Sequence, residues 1–184
     1  MDSKSRIGAS CSRRFFLGFG LVVAAGSISP AARAALTGPR RLAFYHTHTG
    51  EKLSTVYWEK GGYVRGALGE IDYILRDYVN GAERPIDRRL LDMLAELHRR
   101  LASRAPFEII SGYRSPETNE KLRARSDGVA KHSYHLNAMA IDIRLPDVPL
   151  RTLRQAAMDL GRGGVGIYPR SNFVHVDTGP VRYW

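Results

Sequence analysis

The sequence predicts an α+β fold, with a central antiparallel sheet and flanking helices. Two patterns carry this. Segments of period-two alternation and segments with apolar residues at helical spacing come in clusters, without strict strand–helix alternation. No internal repeat or low-complexity block interrupts them. The size agrees: 184 residues suit one domain plus a leader, and 43% hydrophobic residues are enough for a core.

The elements follow in order. Residues 35–41 form a short linker. Leu42 to Trp58 reads as two strands around a turn at Gly50, and Gly61-Gly62 ends the hairpin. Leu68, Ile71, Leu75 and Val79 recur at helical spacing and predict a first helix. Asp87 is suited to cap a second helix, whose apolar stripe is Leu90, Leu91, Leu94, Leu97 and Leu101 with arginines opposite. Phe107 to Ile110 is a short strand. Ser115 as N-cap and Pro116 at the first helical position start a third helix, to about Ala124. A polar loop, Ser126 to Ser133, precedes a segment in which Met139, Ile141, Ile143 and Leu145 alternate with Ala140, Asp142 and Arg144, the pattern of a half-buried strand. Leu150, Leu153, Ala157 and Leu160 mark the last helix. The glycines from Gly161 to Gly166 turn into a strand and lack the Lys-Ser/Thr of a phosphate loop. Phe173 to Asp177 alternates again, with Val174 and Val176 on one face and His175 and Asp177 on the other.

Two of these segments carry candidate chemistry. His135, Asp142 and His175 supply two imidazoles and a carboxylate, the ligand set of a catalytic zinc site with one position left open. On a continuous helix, His135 and Asp142 would be about 10 Å apart along the axis, too far for one ion bound at about 2 Å. A turn or strand between them is required. If the strands holding Asp142 and His175 pair, the two residues become cross-strand neighbours, with Cβ atoms roughly 5 Å apart. His46 and His48 share a face of a strand and read as structural or exposed; His98 reads as a boundary residue of the second helix, and Ser133 as a local hydrogen-bonding group.

The N-terminus reads as a targeting segment, residues 1–34. Arg13-Arg14 precedes an uncharged run from Phe15 to Ala32, and Ala32-Arg33-Ala34 offers small residues at a cleavage position. This resembles a twin-arginine export signal, implying the twin-arginine translocation machinery as a partner and a periplasmic location. A membrane contact is expected only if the leader stays uncleaved. The one cysteine, Cys11, lies inside the leader, so disulfides say nothing about compartment. The net charge is +10; loss of residues 1–34 removes five basic residues and Asp2, leaving +6. A basic exported domain suits an anionic cell-wall polymer or membrane surface, and export argues against nucleic acid.

Ser133-Tyr-His135-Leu-Asn-Ala-Met-Ala-Ile-Asp142 resembles the Ser-x-His-x-x-Gly-x-Ala-x-Asp motif of the family M15 peptidases. Phe173-Val-His175-Val-Asp177 is similar to their second histidine motif, and Ser111-Gly-Tyr-Arg114-Ser115 to their arginine segment. The nearest branch is M15_2 (DUF882), the exported murein endopeptidase K-like group, over about residues 42–184. The resemblance implies the α+β fold shared by DD-peptidases and the hedgehog signalling domain. It implies Zn2+ on His135, Asp142 and His175, and a peptide cross-link of peptidoglycan as substrate, of DD- or LD-type. Arg114 aligns with an arginine that contacts substrate or stabilises developing negative charge. Two positions depart from the pattern. Ala138 stands where a glycine is usual, and Asn172 and Phe173 stand where some branches place a glutamate or histidine near the last ligand.

The expected chemistry is metal-assisted amide hydrolysis. Asp177 is a candidate either to orient a ligand imidazole or to act as base, and His132 is the other base candidate. Arg114 also has a structural reading, as an ion-pair partner. The runner-up function is a non-catalytic, metal-containing peptidoglycan-binding or regulatory module. A metal carrier fits less well, because carriers favour softer ligands than these.

Overall fold

The computed structural model describes residues 38–126 and 128–184. The expected leader, residues 1–34, lies outside them. Eight strands form one sheet: β1 (Arg40–His46), β2 (Lys52–Glu59), β3 (Gly62–Tyr63), β4 (Phe107–Ser111), β5 (Ala140–Arg144), β6 (Gly164–Tyr168), β7 (Phe173–Asp177) and β8 (Arg182–Tyr183). Their order is β3-β2-β1-β4-β5-β7-β6-β8. Four helices accompany them among the described residues: α1 (Arg65–Ile74), α2 (Arg88–Leu101), α3 (Pro116–Arg123) and α4 (Leu150–Leu160).

The fold is α+β, as the sequence predicts, with one difference in the sheet. Most neighbours are antiparallel, but β1 pairs with β4 and β6 with β8 in parallel. The β1–β4 pairing follows from connectivity. Two helices lie between the N-terminal hairpin and β4, and a crossover of that length lets β4 enter beside β1 in the same direction.

The helices end where local side chains dictate. The apolar spacing of α1 extends to Val79, yet the helix stops at Ile74 and Val79 is exposed. The buried Asp77 carboxylate accepts hydrogen bonds from the Val79 N–H (3.0 Å) and the Ser115 N–H (2.9 Å), which offers the backbone a turn instead of another helical bond. Asp87 caps α2 by accepting from the Arg89 N–H, and its leucines at 90, 91, 94 and 97 are fully buried. Ser115 caps α3 by accepting from the Thr118 N–H, with Pro116 in the first turn as expected.

The core decides which face of β5 and β7 carries chemistry. Ile141, Ile143, Val174 and Val176 are wholly buried in the cluster that contains the α2 leucines. Alternation turns Asp142, His175 and Asp177 to the opposite face. That face is covered too, so β5 is not the half-buried strand its sequence suggests.

Candidate metal centre

The register of β5 and β7 sets Asp142 directly opposite His175. His135 arrives from a single 3-10 turn, Tyr134–Asn137, just before β5. Ser133 caps that turn by accepting from the His135 N–H (3.4 Å). Ala138 ends it at φ +54°, the left-handed conformation, at a strain of roughly 1–2 kcal/mol for a residue with a Cβ. A glycine would adopt this conformation without that strain, and here an alanine adopts it. Two backbone contacts tie the turn to the arginine segment. Gly112 O lies 2.7 Å from His135 Nδ1, and the Arg114 N–H donates to His135 O (3.2 Å). Gly112 must lack a side chain, because a Cβ there would stand 2.4 Å from the Leu75 carbonyl oxygen.

His135, Asp142 and His175 converge as the sequence suggests. His175 Nδ1 lies 2.9 Å from Asp142 Oδ1, His135 Nε2 lies 3.3 Å from the same oxygen, and the two ring nitrogens are 3.2 Å apart. All three residues are buried. Among the described residues they are the only cluster of three or more such side chains able to share a metal. The outer hydrogen bonds decide which atoms face inward. His135 Nδ1–H donates to Gly112 O, and His175 Nε2–H donates to Asp177 Oδ2 (3.0 Å). Both remaining ring nitrogens then present lone pairs to each other and to a carboxylate oxygen. Three bare acceptors within about 3 Å repel unless a cation lies between them. For a tetrahedral ion with bonds of about 2.0–2.1 Å, donor atoms would be about 3.3 Å apart. The site therefore fits a divalent metal with three protein donors.

Burial pushes the Asp142 carboxyl upward, but the neighbouring His135 and His175 imidazoles outweigh it and hold the group far below the ordinary carboxylate range. Burial pulls the His175 imidazole down, and its hydrogen bonds to Asp142 and Asp177 more than offset this, leaving it raised. Asp177 is fully buried and is also depressed, by His175, Arg182 and two backbone N–H groups acting against burial. Its Oδ1 accepts from Gly164 N (3.1 Å), Gly179 N (2.8 Å) and Arg182 NH1 (3.1 Å); its Oδ2 accepts from His175 and Arg182 NH2 (2.6 Å).

A cleft of about 540 Å³ opens over the cluster, and Arg114, His132 and His175 line it. Of the two base candidates, only exposed His132 borders this space; Asp177 lies behind His175, outside the lining. The Arg114 guanidinium has no carboxylate partner among the described residues, where its contacts are Ser111 Oγ (3.3 Å) and Asn119 Oδ1 (3.4 Å). Arg144, the other arginine near Asp142 in sequence, pairs with Glu108 instead. Sequence reasoning assigned no role to Gly112 or Arg182, whose contacts run through a backbone carbonyl and a buried carboxylate. A larger groove of about 740 Å³ lies along the β1–β2 hairpin, and its lining holds no histidine or acid.

The remaining histidines stand apart. His46 is buried, and its Nδ1 accepts from the His48 and Thr49 N–H groups in the hairpin turn. His48 stacks on Tyr78 (4.3 Å), and His98 Nε2 meets the Ala105 carbonyl (2.9 Å).

Residues 34–184 match the family model described as peptidoglycan L,D-endopeptidase MepK (peptidase M15_2). The chain is 42% identical over 176 residues to the peptidoglycan L,D-endopeptidase MepK of Escherichia coli K12, covering 94% of this chain and 97% of that protein. It is 40% identical over 177 residues to the probable peptidoglycan L,D-endopeptidase MepK of Haemophilus influenzae, covering 94% and 95%. No solved structure matches it significantly.

Proposed function

Because the chain belongs to the peptidoglycan L,D-endopeptidase MepK family (peptidase M15_2), we propose that it hydrolyses peptide cross-links of peptidoglycan, with zinc held by His135, Asp142 and His175. The names of its relatives favour an L,D cross-link over a D,D one. The observation that carries the reading is the convergence of two imidazoles and a carboxylate in a cleft that also holds an arginine with no carboxylate partner among the described residues. A zinc ion bound there supplies Lewis-acid polarisation of an amide carbonyl and a water acidified for attack.

The chain's own residues do the rest. Arg114 offers N–H donors to the oxyanion that develops as water oxygen bonds to the carbonyl carbon, or holds a substrate carboxylate in two-pronged fashion. Asp177 keeps His175 in the tautomer that leaves Nδ1 bare. His132, an exposed imidazole on the cleft wall, takes a proton from water and returns one to the departing amine as the C–N bond breaks. The products are one carboxylate and one amine, which balances the added water. Residues 1–34 act as a twin-arginine leader and deliver the enzyme to the periplasm.

The test is to incubate zinc-loaded protein with cross-linked muropeptide dimers and read the products by mass spectrometry, with chelator and His175→Ala controls. Dimer loss that requires both zinc and His175 is the expected result. Among the described residues, Asp142 is the only carboxylate lining the cleft and is itself a donor, which favours a second reading, a metal-containing wall-binding module. Zinc retention without cleavage of any cross-link would select that module.

A further inference from the structure

We propose that Trp184, backed by Tyr168 and Phe173, is a specificity wall of the cleft that holds the aliphatic stem of a diamino-acid residue beside the scissile amide. This rests on the reading of the cleft as a cross-link hydrolase. The indole lies 5.3 Å from the His175 ring, centroid to centroid, tilted by 45°. Its Nε1–H donates to the Tyr168 hydroxyl (2.9 Å), and Tyr168 stacks on Phe173 at 4.6 Å. All three rings line the cleft. Trp184 is 44% exposed and Tyr168 37%.

The wall is rigid by construction. The Trp184 N–H donates to Val165 O (3.2 Å), and Trp184 O accepts from the Ile167 N–H (3.1 Å), so the residue is stitched to β6. A Cβ at Gly166 would stand 2.4 Å from the indole, so that glycine is what lets the ring lie on the strand. The Arg182 guanidinium sits 5.1 Å from the Trp184 ring and 4.9 Å from the Tyr134 ring while it grips Asp177. The aromatic wall and the carboxylate that orients His175 thus share one arginine.

An exposed, pre-ordered aromatic surface beside a reaction centre selects ligands by apolar contact. The same cleft presents Arg114, which has no carboxylate partner among the described residues. A residue with a methylene stem and a nearby carboxylate satisfies both, with the stem on the indole and the carboxylate on the guanidinium. A free amine at the end of the stem gains further attraction to the ring face. A small side chain such as alanine would leave the wall wet.

The experiment compares full-length, zinc-loaded Trp184→Ala and Trp184→Phe on cross-linked dimers containing diaminopimelate and on dimers with alanine at the flanking position. Trp184→Ala should raise KM for the diamino-acid dimer about tenfold with kcat within about threefold, zinc content unchanged, and Trp184→Phe should recover most of the loss. Selectivity over the alanine dimer should collapse in Trp184→Ala. Unchanged KM and selectivity would overturn the proposal, as would joint loss of zinc and kcat, which would make Trp184 a prop for His175. Binding is read separately, from Trp184 emission in metal-free Trp58→Phe protein. An emission change that prefers the diamino-acid dimer supports the wall even if hydrolysis is never seen. No change, in a protein that still turns over when zinc-loaded, sinks the wall and leaves the hydrolase standing.

Discussion

Asp177→Asn isolates the hydrogen bond behind the metal cluster. Three donors converge on Oδ1 of Asp177 and two on Oδ2. An asparagine keeps its oxygen where three donors meet, which puts its NH2 group against His175 Nε2. Two outcomes follow. If His175 keeps Nε2–H, two donors face each other in a buried site, at about 1–3 kcal/mol for an unmet donor. If the ring changes tautomer, Nδ1 acquires the proton and directs it at the position a metal would fill. Either way metal binding weakens, by about 1.4–2.7 kcal/mol, or ten- to a hundredfold. The fold should survive, because Arg182 is partly exposed and water can solvate its freed guanidinium. The assay is competition for zinc against a chromophoric chelator, with circular dichroism to confirm folding. A folded Asp177→Asn protein with wild-type zinc affinity would refute the assigned tautomers.

Further predictions follow from the same geometry. Arg114→Ala should lower kcat by about 10²–10³ with zinc affinity unchanged, because only the backbone of Arg114 touches His135; steady-state kinetics and zinc titration check both. In metal-free protein, the depressed Asp177 stabilises the fold above its unfolded pKa of about 3.9 and loses that contribution as pH falls toward its folded value. His175, being raised, stabilises below about 6.5 and loses its contribution as pH rises through its folded value. Metal needs neutral histidine, so thermal melts with and without zinc should separate further as pH rises. Ala138→Gly removes roughly 1–2 kcal/mol of left-handed strain but loses a buried methyl worth about 0.8 kcal/mol and adds about 0.4–1 kcal/mol of unfolded-chain entropy. Denaturant titration should find its stability within about 1 kcal/mol of wild type.

The donor set was legible in the sequence because its constraints are local. Period-two alternation fixes which face of β5 and β7 Asp142 and His175 share, and their spacing rules out a helix from His135. The caps at Asp87 and Ser115 were legible for the same reason, since each acts within three residues. What escaped is non-local. The parallel entry of β4 depends on how two helices carry the chain back, and the early end of α1 depends on Asp77 reaching the N–H of Ser115, 38 positions away. The place of Trp184 on the cleft is set by β6, which brings Gly166 beneath its ring.

The ligands alone do not make the site. Asp142 and His175 are placed by strand register, which any well-packed sheet supplies. Whether their lone pairs face inward is decided by Gly112 O on one imidazole and Asp177 on the other. Gly112 belongs to the segment that also carries Arg114, and Asp177 is held by the arginine that contacts Trp184. The groups that set the imidazole tautomers therefore lie on the same short segments as those that flank the cleft. A change in Gly112 or Arg182 should alter metal affinity and substrate handling together, whereas a change in Arg114 or Trp184 side chains should alter substrate handling alone.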